Sequence, residues 1–412
     1  MRDHAAVVTC FLRHRGAVLL CRRAADAGTY PERWAAVSGY VEDDDPAATA
    51  RMEVHEETGI RDPTLVRTGD PFTVRDPDLD RTWTVHPFLF EVPNRTVDPN
   101  PELATCEWTT PTAILDRETV PELWTSYERV APTVETVAGD ETHGAAELSV
   151  RALEVLRDRA AVARTSGADL DPVTALAERL LAARPSMVVL QNRINRVMAG
   201  ARAPAAVEEA AIAEIERAFT VDDEAAAAAA ADLLDATVLT LSRSGTVLEA
   251  LRSGEPAQVI VAESRPAREG VGVAESLAST GIPVTLCTDA AIAHVLAEHR
   301  LDAVLVGADA IGPDGTLVNK TGTRAAALAA AREDIPVRVV ASTDKISPAD
   351  SLSLEAGDPV AVYDGPAALT AINPTFDRTP PDLVSTILTE RGTLGTDDLA
   401  PIADAHAARQ AW

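Results

Sequence analysis

From Ala236 onward the chain alternates two hydrophobic periods, and that alternation leaves few folds open. The short apolar runs "ATVLTLS", "AQVIVAES", "IPVTLCTD", "AVLVGAD", "VRVVAST" and "PVAVYD" are separated by helical patterns such as "GVAESLAST" and "AAIAHVLAEH". A strand that is apolar on both faces must be covered on both. Strands spaced widely enough to hold a helix between them predict a parallel, doubly wound α/β sheet. Ligands of such sheets bind outside the carboxyl ends of the strands. Those ends here are Ser242, Glu263, Asp289, Asp309 and Ser342-Thr343-Asp344, all polar.

Upstream the rhythm differs. Residues 145–234 read as helix almost throughout, including the alanine run, which has a capping aspartate and reads as an ordinary helix. Earlier still, "AAVVTCFLRHRGAVLLCRR" is a hairpin pattern around an Arg-His-Arg-Gly turn, and strand pairs continue through "TVHPFLFEVP". A polar, glycine-bearing stretch after Arg129 sets a boundary at about residue 138. The expected division is 1–138, a helical subdomain 139–235, and a sheet domain 236–412, consistent with a 412-residue chain too long for one core.

No apolar run approaches the roughly 20 residues of a membrane span, and "MRDHAAVVTC" lacks a signal-peptide core, so a cytoplasmic protein with no membrane partner is expected. Cys10, Cys21, Cys106 and Cys287 lie far apart without a C-x-x-C pair and are expected to be reduced, with neither disulfide nor zinc site. A net charge of −27 disfavours direct nucleic-acid binding and anionic lipid. Of 37 basic residues only Lys320 and Lys345 are lysines. This acidic, lysine-poor composition resembles that of proteins from salt-rich cytoplasms, where salt screens a dense carboxylate surface. Where lysine is so scarce, the two that remain become candidate ligand contacts.

In "MEVHEETGI" a helix over 47–58 places Glu53, Glu56 and Glu57 within one turn, near a C-terminus where the helix dipole already disfavours anions. Like charges at this spacing cost a few tenths of a kcal/mol per pair. A hard divalent cation, Mg²⁺ or Mn²⁺, would offset that cost; a plain acidic helix on an acidic protein is the alternative. The helix itself is well specified: Asp45 can cap it, Pro46 sits at its first position and Gly59 can close it.

The stretch "GYVEDDDPAATARMEVHEETGI" resembles the Nudix box, on which Glu53, Val54, Glu56, Glu57, Gly59 and Ile60 match. The resemblance extends over roughly residues 4–135, including "ERWAAVSGYVE" and "CEWTTPTAI". It implies a hydrolase of a nucleoside-diphosphate-linked substrate, with Glu53, Glu56 and Glu57 as metal ligands and catalytic residues. Met52 replaces the family's arginine, the loop after Gly39 is one residue short, and the earlier box glutamate falls on Asp44 or Asp45.

The segments "VIVAESRPAREG", "IPVTLCTDAA", "VLVGADAIGPDGTLVNKTGT" and "NPTFDRTPPDLVSTILTERG" resemble, in order, the translation initiation factor 2B alpha/beta/delta family, which includes ribose-1,5-bisphosphate and methylthioribose-1-phosphate isomerases. The match covers roughly residues 140–400, with "RPSMVVLQNRINRVM" fitting the family's helical portion. Together the two resemblances imply an N-terminal Nudix α/β/α sandwich, then a helical subdomain and a Rossmann-like doubly wound parallel sheet.

On this second family Arg265, Gly270, Asn319, Lys320 and Lys345 are the candidate contacts for a sugar phosphate or nucleotide, and Asp309 the candidate acid/base group. Arg265 is a fork donor suited to a phosphate, and Gly270 lies in a helix start that favours an anion. The isomerases' cysteine falls on Ser242, and their Arg-Gly-Ala motif reads His143-Gly144-Ala145. Serine supplies no thiolate at neutral pH. The expectation is therefore phosphate-ligand binding without efficient isomerase turnover. The alternatives are an isomerase using Ser242 or Cys287, and a non-catalytic regulatory protein of translation. A homodimer or higher homo-oligomer is expected from the family.

Overall fold

A computed structural model describes residues 3–42, 45–349, 352 and 354–412, so Asp43 and Asp44 of the acidic loop lie outside the described residues. The chain forms two compact units. One holds the residues up to Thr136 together with Glu154–Ala175 and Arg202–Glu216; the other holds Val137–Leu153, Leu176–Ala201 and Arg217–Trp412.

The first unit is built on an eight-stranded mixed sheet: β1 (Asp3–His14), β2 (Ala17–Arg23), β3 (Trp34–Ala35), β4 (Val37–Tyr40), β5 (Thr64–Thr68), β6 (Phe72–Asp76), β7 (Arg81–Glu91) and β8 (Leu103–Thr109). The β1–β2 hairpin closes on Arg15 and Gly16, both with positive φ, as the two-residue turn that matches strand twist requires. β1 runs parallel to β7 and antiparallel to β4.

Side chains of period two divide between the faces. Val8, Cys10 and Leu12 of β1 pack with Ala50 and Val54 of helix α1 (Pro46–Thr58). Phe11 packs on the other face with Leu123 and Tyr127 of α2 (Leu123–Glu128). The result is the expected α/β/α sandwich. α1 begins and ends as its sequence predicts: the Asp45 carboxylate accepts the Ala47 and Ala48 amides, and Gly59 takes the left-handed stop at φ 74°.

The expectation of reduced cysteines fails here. Cys21 of β2 and Cys106 of β8 stand opposite one another in the ladder, with Cα atoms 4.0 Å apart, and are joined as a disulfide. Strand register brings together two residues 85 positions apart, which spacing along the sequence does not reveal.

The helices that follow are α3 (Val134–Gly139), α4 (Ala145–Ser166), α5 (Asp171–Ala183), α6 (Val188–Met198) and α7 (Pro204–Ala230). The second unit's main sheet has seven strands in the order β11-β10-β9-β12-β15-β17-β18. These are β9 (Thr237–Leu241), β10 (Gln258–Ala262), β11 (Val284–Cys287), β12 (Ala303–Val306), β15 (Val337–Val340), β17 (Thr386–Thr389) and β18 (Gly392–Leu394), parallel except for the last pair. A small antiparallel sheet comprises β13 (Ala310–Ile311), β14 (Leu317–Lys320) and β16 (Phe376–Thr379). Helices α8 (Gly245–Ser253), α9 (Glu269–Ala278), α10 (Ile292–Glu298), α11 (Thr323–Arg332) and α12 (Thr396–Ala407) complete the unit.

Two buried clusters, one per face of the main sheet, confirm that it is doubly wound. The strand order reverses between β9 and β12, the switch point at which such sheets open a ligand crevice.

One expected strand is absent. "PVAVYD" forms a short 3₁₀ turn at Pro359–Ala361, with Val360 and Val362 more than half exposed. Its place in the ladder goes to Thr386–Thr389, whose Ile387 and Leu388 pair with Val339 and Val340 and are buried. An apolar run without a pairing partner does not make a strand, and proline at its start removes one ladder donor.

Candidate functional site

α1 lies against β4 and β1, and this packing carries its glutamates to the rim of a cavity of about 550 Å³. Glu53, Glu56 and Glu57 all line it, with Glu42 and Glu102, so the helical spacing brings together the three carboxylates expected to act jointly. They differ in burial. Glu57 is 4% exposed and its Oε2 has no hydrogen-bond partner, whereas Glu53 is half-buried and Glu56 exposed.

Burial, then repulsion from Glu56, Glu102 and Glu42, pushes the Glu53 carboxyl up to about 7. Burial and Glu53 push Glu57 up to about 8, against the pull of Arg23. Gly39 is needed opposite: a Cβ there would collide with the Glu53 carboxylate. Among the described residues no three His, Cys, Asp or Glu side chains already converge as a ligand set. An orphaned buried carboxylate oxygen beside two further glutamates nevertheless fits a hard cation, which takes oxygen donors and completes its shell with water and phosphate.

A second part of the cavity lining was not legible in the sequence. Tyr30, Tyr40, Arg81 and Trp83 line the same cavity and come from a loop and two strands. Tyr30 and Trp83 have ring centroids 6.4 Å apart, and Tyr40 and Trp83 5.9 Å. These three rings lie 10 to 53 positions from one another along the chain and mostly in different elements, so nothing local marks them as one wall.

The second candidate site sits at the strand ends of the doubly wound sheet. Asp309 follows β12 and precedes β13; burial pushes its carboxyl up, while Lys345 and Lys320 pull it down. The two lysines thus bear on one carboxylate. Lys345 is buried, donates to the Ala308 carbonyl, and is pushed down by burial. Lys320, at the end of β14, pairs with Glu269 at 2.7 Å and lies 5.8 Å from the Phe376 ring. Asn319 is buried, its amide donating to Thr323 at 3.0 Å. Arg265 is largely exposed, 3.4 Å from Glu263, with its backbone amide held by Asp289.

Gly270 has a packing reason: a Cβ would strike the Ala262 carbonyl at the end of β10. Ser242 has φ 62° and donates its amide to Ser264 Oγ at 2.6 Å. His143 pairs with Asp140 at 2.6 Å, and the neighbouring Gly144 lies against the Arg243 backbone, so the His-Gly-Ala stretch does reach the β9 end. Asp344, in the same row of polar strand ends, is wholly buried among Arg193, Arg196 and Arg217 and belongs to the core. Attraction to these arginines outweighs burial and holds its carboxyl well below the usual range.

The topology also separates the two candidate replacements for a catalytic thiol. Ser242 ends β9, the strand beside β12, about 5 Å away across the sheet. Cys287 ends β11, three strand spacings or about 14 Å from β12. Burial, then the nearby Asp289 and Glu263, also raises the Cys287 thiol, which keeps it neutral.

Comparison with known proteins agrees with this architecture. Residues 2–130 match the NUDIX domain model, and residues 141–396 match the initiation factor 2 subunit family. A probable bifunctional methylthioribose-1-phosphate isomerase/methylthioribulose-1-phosphate dehydratase of Nocardia farcinica is 35% identical over 55% of this chain, which spans only 46% of that protein. The ribose 1,5-bisphosphate isomerase of Archaeoglobus fulgidus is 32% identical over 65% of this chain and 90% of its own length. In a crystal structure of the translation initiation factor eIF-2B from Pyrococcus horikoshii, the match is 28% identical, covers 63% of this chain and 94% of that one, and has a TM-score of 0.57. Among the described residues no helix is long and apolar enough to cross a membrane. With a NUDIX hydrolase domain preceding a family match that covers more than half of its length, the chain belongs to the initiation factor 2 subunit family.

Proposed function

We propose that the N-terminal domain is a divalent-metal-dependent hydrolase of a nucleoside-diphosphate-linked substrate, and that the C-terminal domain binds a sugar phosphate or nucleotide with little isomerase turnover. The observation that carries the first half is the Glu57 Oε2 atom, buried without a partner at the edge of the cavity that Glu53 and Glu56 also line. These three glutamates would hold Mg²⁺ or Mn²⁺. A bound ion would supply charge neutralisation for the diphosphate and an activated water. Glu53 and Glu57, both raised toward neutral pH, keep the pocket from carrying three full negative charges before a cation arrives. Arg23, beside Glu57 in the same cavity, offers the diphosphate a cation of the protein's own.

The reading of the second half rests on Ser242 standing next to the β12 end where the relatives' resemblance calls for cysteine. A hydroxyl at the end of β9 can hydrogen-bond a ligand but has no accessible anion at neutral pH. The acidic composition supports a salt-rich cytoplasm as the setting, and the family resemblance supports a homo-oligomer, measurable by sedimentation.

The test of the first half is phosphate release across a panel of nucleoside diphosphate derivatives in high salt, with and without Mg²⁺. Metal-dependent release that is lost in Glu57→Gln is expected. Release independent of metal, or unaffected by Glu57→Gln, would sink the assignment.

A further inference from the structure

The N-terminal cavity that the glutamates line is also lined by a pre-built aromatic surface. Trp83 Nε1 donates to the Tyr30 hydroxyl at 3.0 Å, and that hydroxyl donates to Asp76 Oδ2 at 2.5 Å. Asp76 also accepts the Asp78 and Leu79 amides at 2.9 and 3.2 Å. Burial and the bond to Asp76 push the Tyr30 phenol above its usual range, so it stays protonated and the relay keeps its direction.

Tyr30 itself has φ 49°, a conformation that a bulky side chain keeps only where its surroundings fix it. On the other side, the Arg81 guanidinium lies 5.0 Å from the Trp83 ring centre and donates to the Tyr40 hydroxyl at 3.0 Å. The indole N–H and the Tyr30 hydroxyl proton are thereby used inside the wall. What remains for a ligand is ring surface, and the ring that offers it is Tyr40, 47% exposed against 6% for Trp83.

Resting on the diphosphate-hydrolase reading above, we infer that Tyr40, on the wall braced by Asp76, Tyr30, Trp83 and Arg81, is the stacking platform for the base of a nucleoside diphosphate substrate. The cavity is then divided by chemistry. Carboxylates at one end take the cation and diphosphate, and a flat π-face at the other takes a planar ring. A substrate that carries only sugars on its diphosphate leaves the second end unused. Aromatic stacking of a base contributes through Tyr40 alone and is tolerant of base identity, so the site selects nucleotides as a class. Tyr40 acts on binding and touches no reacting atom.

The experiment is calorimetry on the full chain with Mg²⁺, using two non-hydrolysable probes: adenosine 5′-(α,β-methylene)diphosphate and the base-free methylenediphosphonate. Wild type should bind the nucleoside probe at least about ten-fold more tightly, a difference of about 1.4 kcal/mol. Tyr40→Ala should remove that advantage and leave methylenediphosphonate affinity within about two-fold. Tyr40→Phe, which keeps the ring, should retain the preference and guards against a folding artefact.

Equal affinities in wild type, or a Tyr40→Ala loss shared by both probes, would overturn the base platform while leaving the diphosphate site standing. Binding of neither probe overturns the platform and the diphosphate reading together.

Discussion

The two candidate sites differ in whether their charged groups meet counter-charges. At the N-terminal cavity Glu57 keeps a buried carboxylate oxygen with no partner, and Glu53 presses against it. At the strand ends of the doubly wound sheet Glu269 Oε2 is also buried without a partner, but the cations are already engaged: Lys320 with Glu269 Oε1, Lys345 with the Ala308 carbonyl. A buried charge without partners is costly, so the first arrangement persists only with raised proton affinity or a bound cation. The second carries its own counter-charges, and an anionic ligand must displace or rearrange them. On the proposed reading, the difference separates a cation site from one that an anion must compete to enter.

The largest test of that contrast is Glu57→Gln, expected to lower metal-dependent hydrolysis by at least about 100-fold while circular dichroism stays unchanged. A mutant within a few-fold of wild type would place the orphaned oxygen outside the chemistry.

Next is the thiol position. Turnover of ribose 1,5-bisphosphate, slow or absent in wild type, should rise measurably in Ser242→Cys, because Asp309 follows β12, the strand beside the one that Ser242 ends. Cys287→Ala should change nothing, being about 14 Å away across the sheet. Robust wild-type turnover would overturn the binder reading in favour of an isomerase, and its loss in Cys287→Ala would overturn the topological argument as well.

The third test releases a paired cation. Glu269→Gln removes the carboxylate that holds Lys320 at 2.7 Å, so the affinity for a sugar phosphate should rise a few-fold, read by calorimetry. Weaker binding would show that Glu269 serves the ligand and not only the lysine.

The fourth follows from proton linkage. Glu57 and Glu53 titrate near 8 and 7 in the folded chain, against about 4.3 when unfolded, so between those limits the folded state binds more protons. Stability without metal should therefore fall as pH rises from about 5 to 8, and Mg²⁺ should raise the melting temperature more at pH 8 than at pH 5. A metal effect independent of pH would break the link. The smallest effect belongs to the helix that carries the glutamates: Asp45→Ala removes two amide caps and should cost about 1 kcal/mol of stability. Thermal unfolding reads it.

Much of this was legible along the chain because the determining interactions are local. The 3.6-residue period put Glu53 and Glu57 on one face of α1, and Asp45, Pro46 and Gly59 specified where it begins and ends. The alternation of buried strands with helices specified a doubly wound sheet, and scarcity pointed to Lys320 and Lys345. Other features depend on register between distant strands, which a single sequence does not encode at any one place. The Cys21–Cys106 bond, the displacement of "PVAVYD" from the ladder by Thr386–Thr389, and the wall of Tyr30, Tyr40 and Trp83 are of this kind. So is the fate of Asp344, a polar strand end drawn into the core by three arginines from two helices. Local periodicity and capping chemistry act within a turn or two of chain, so the sequence alone determined most of the elements, and with α1 the carboxylates it carries. Which oxygen was left without a partner, and which rings line the same cavity, was decided by long-range packing.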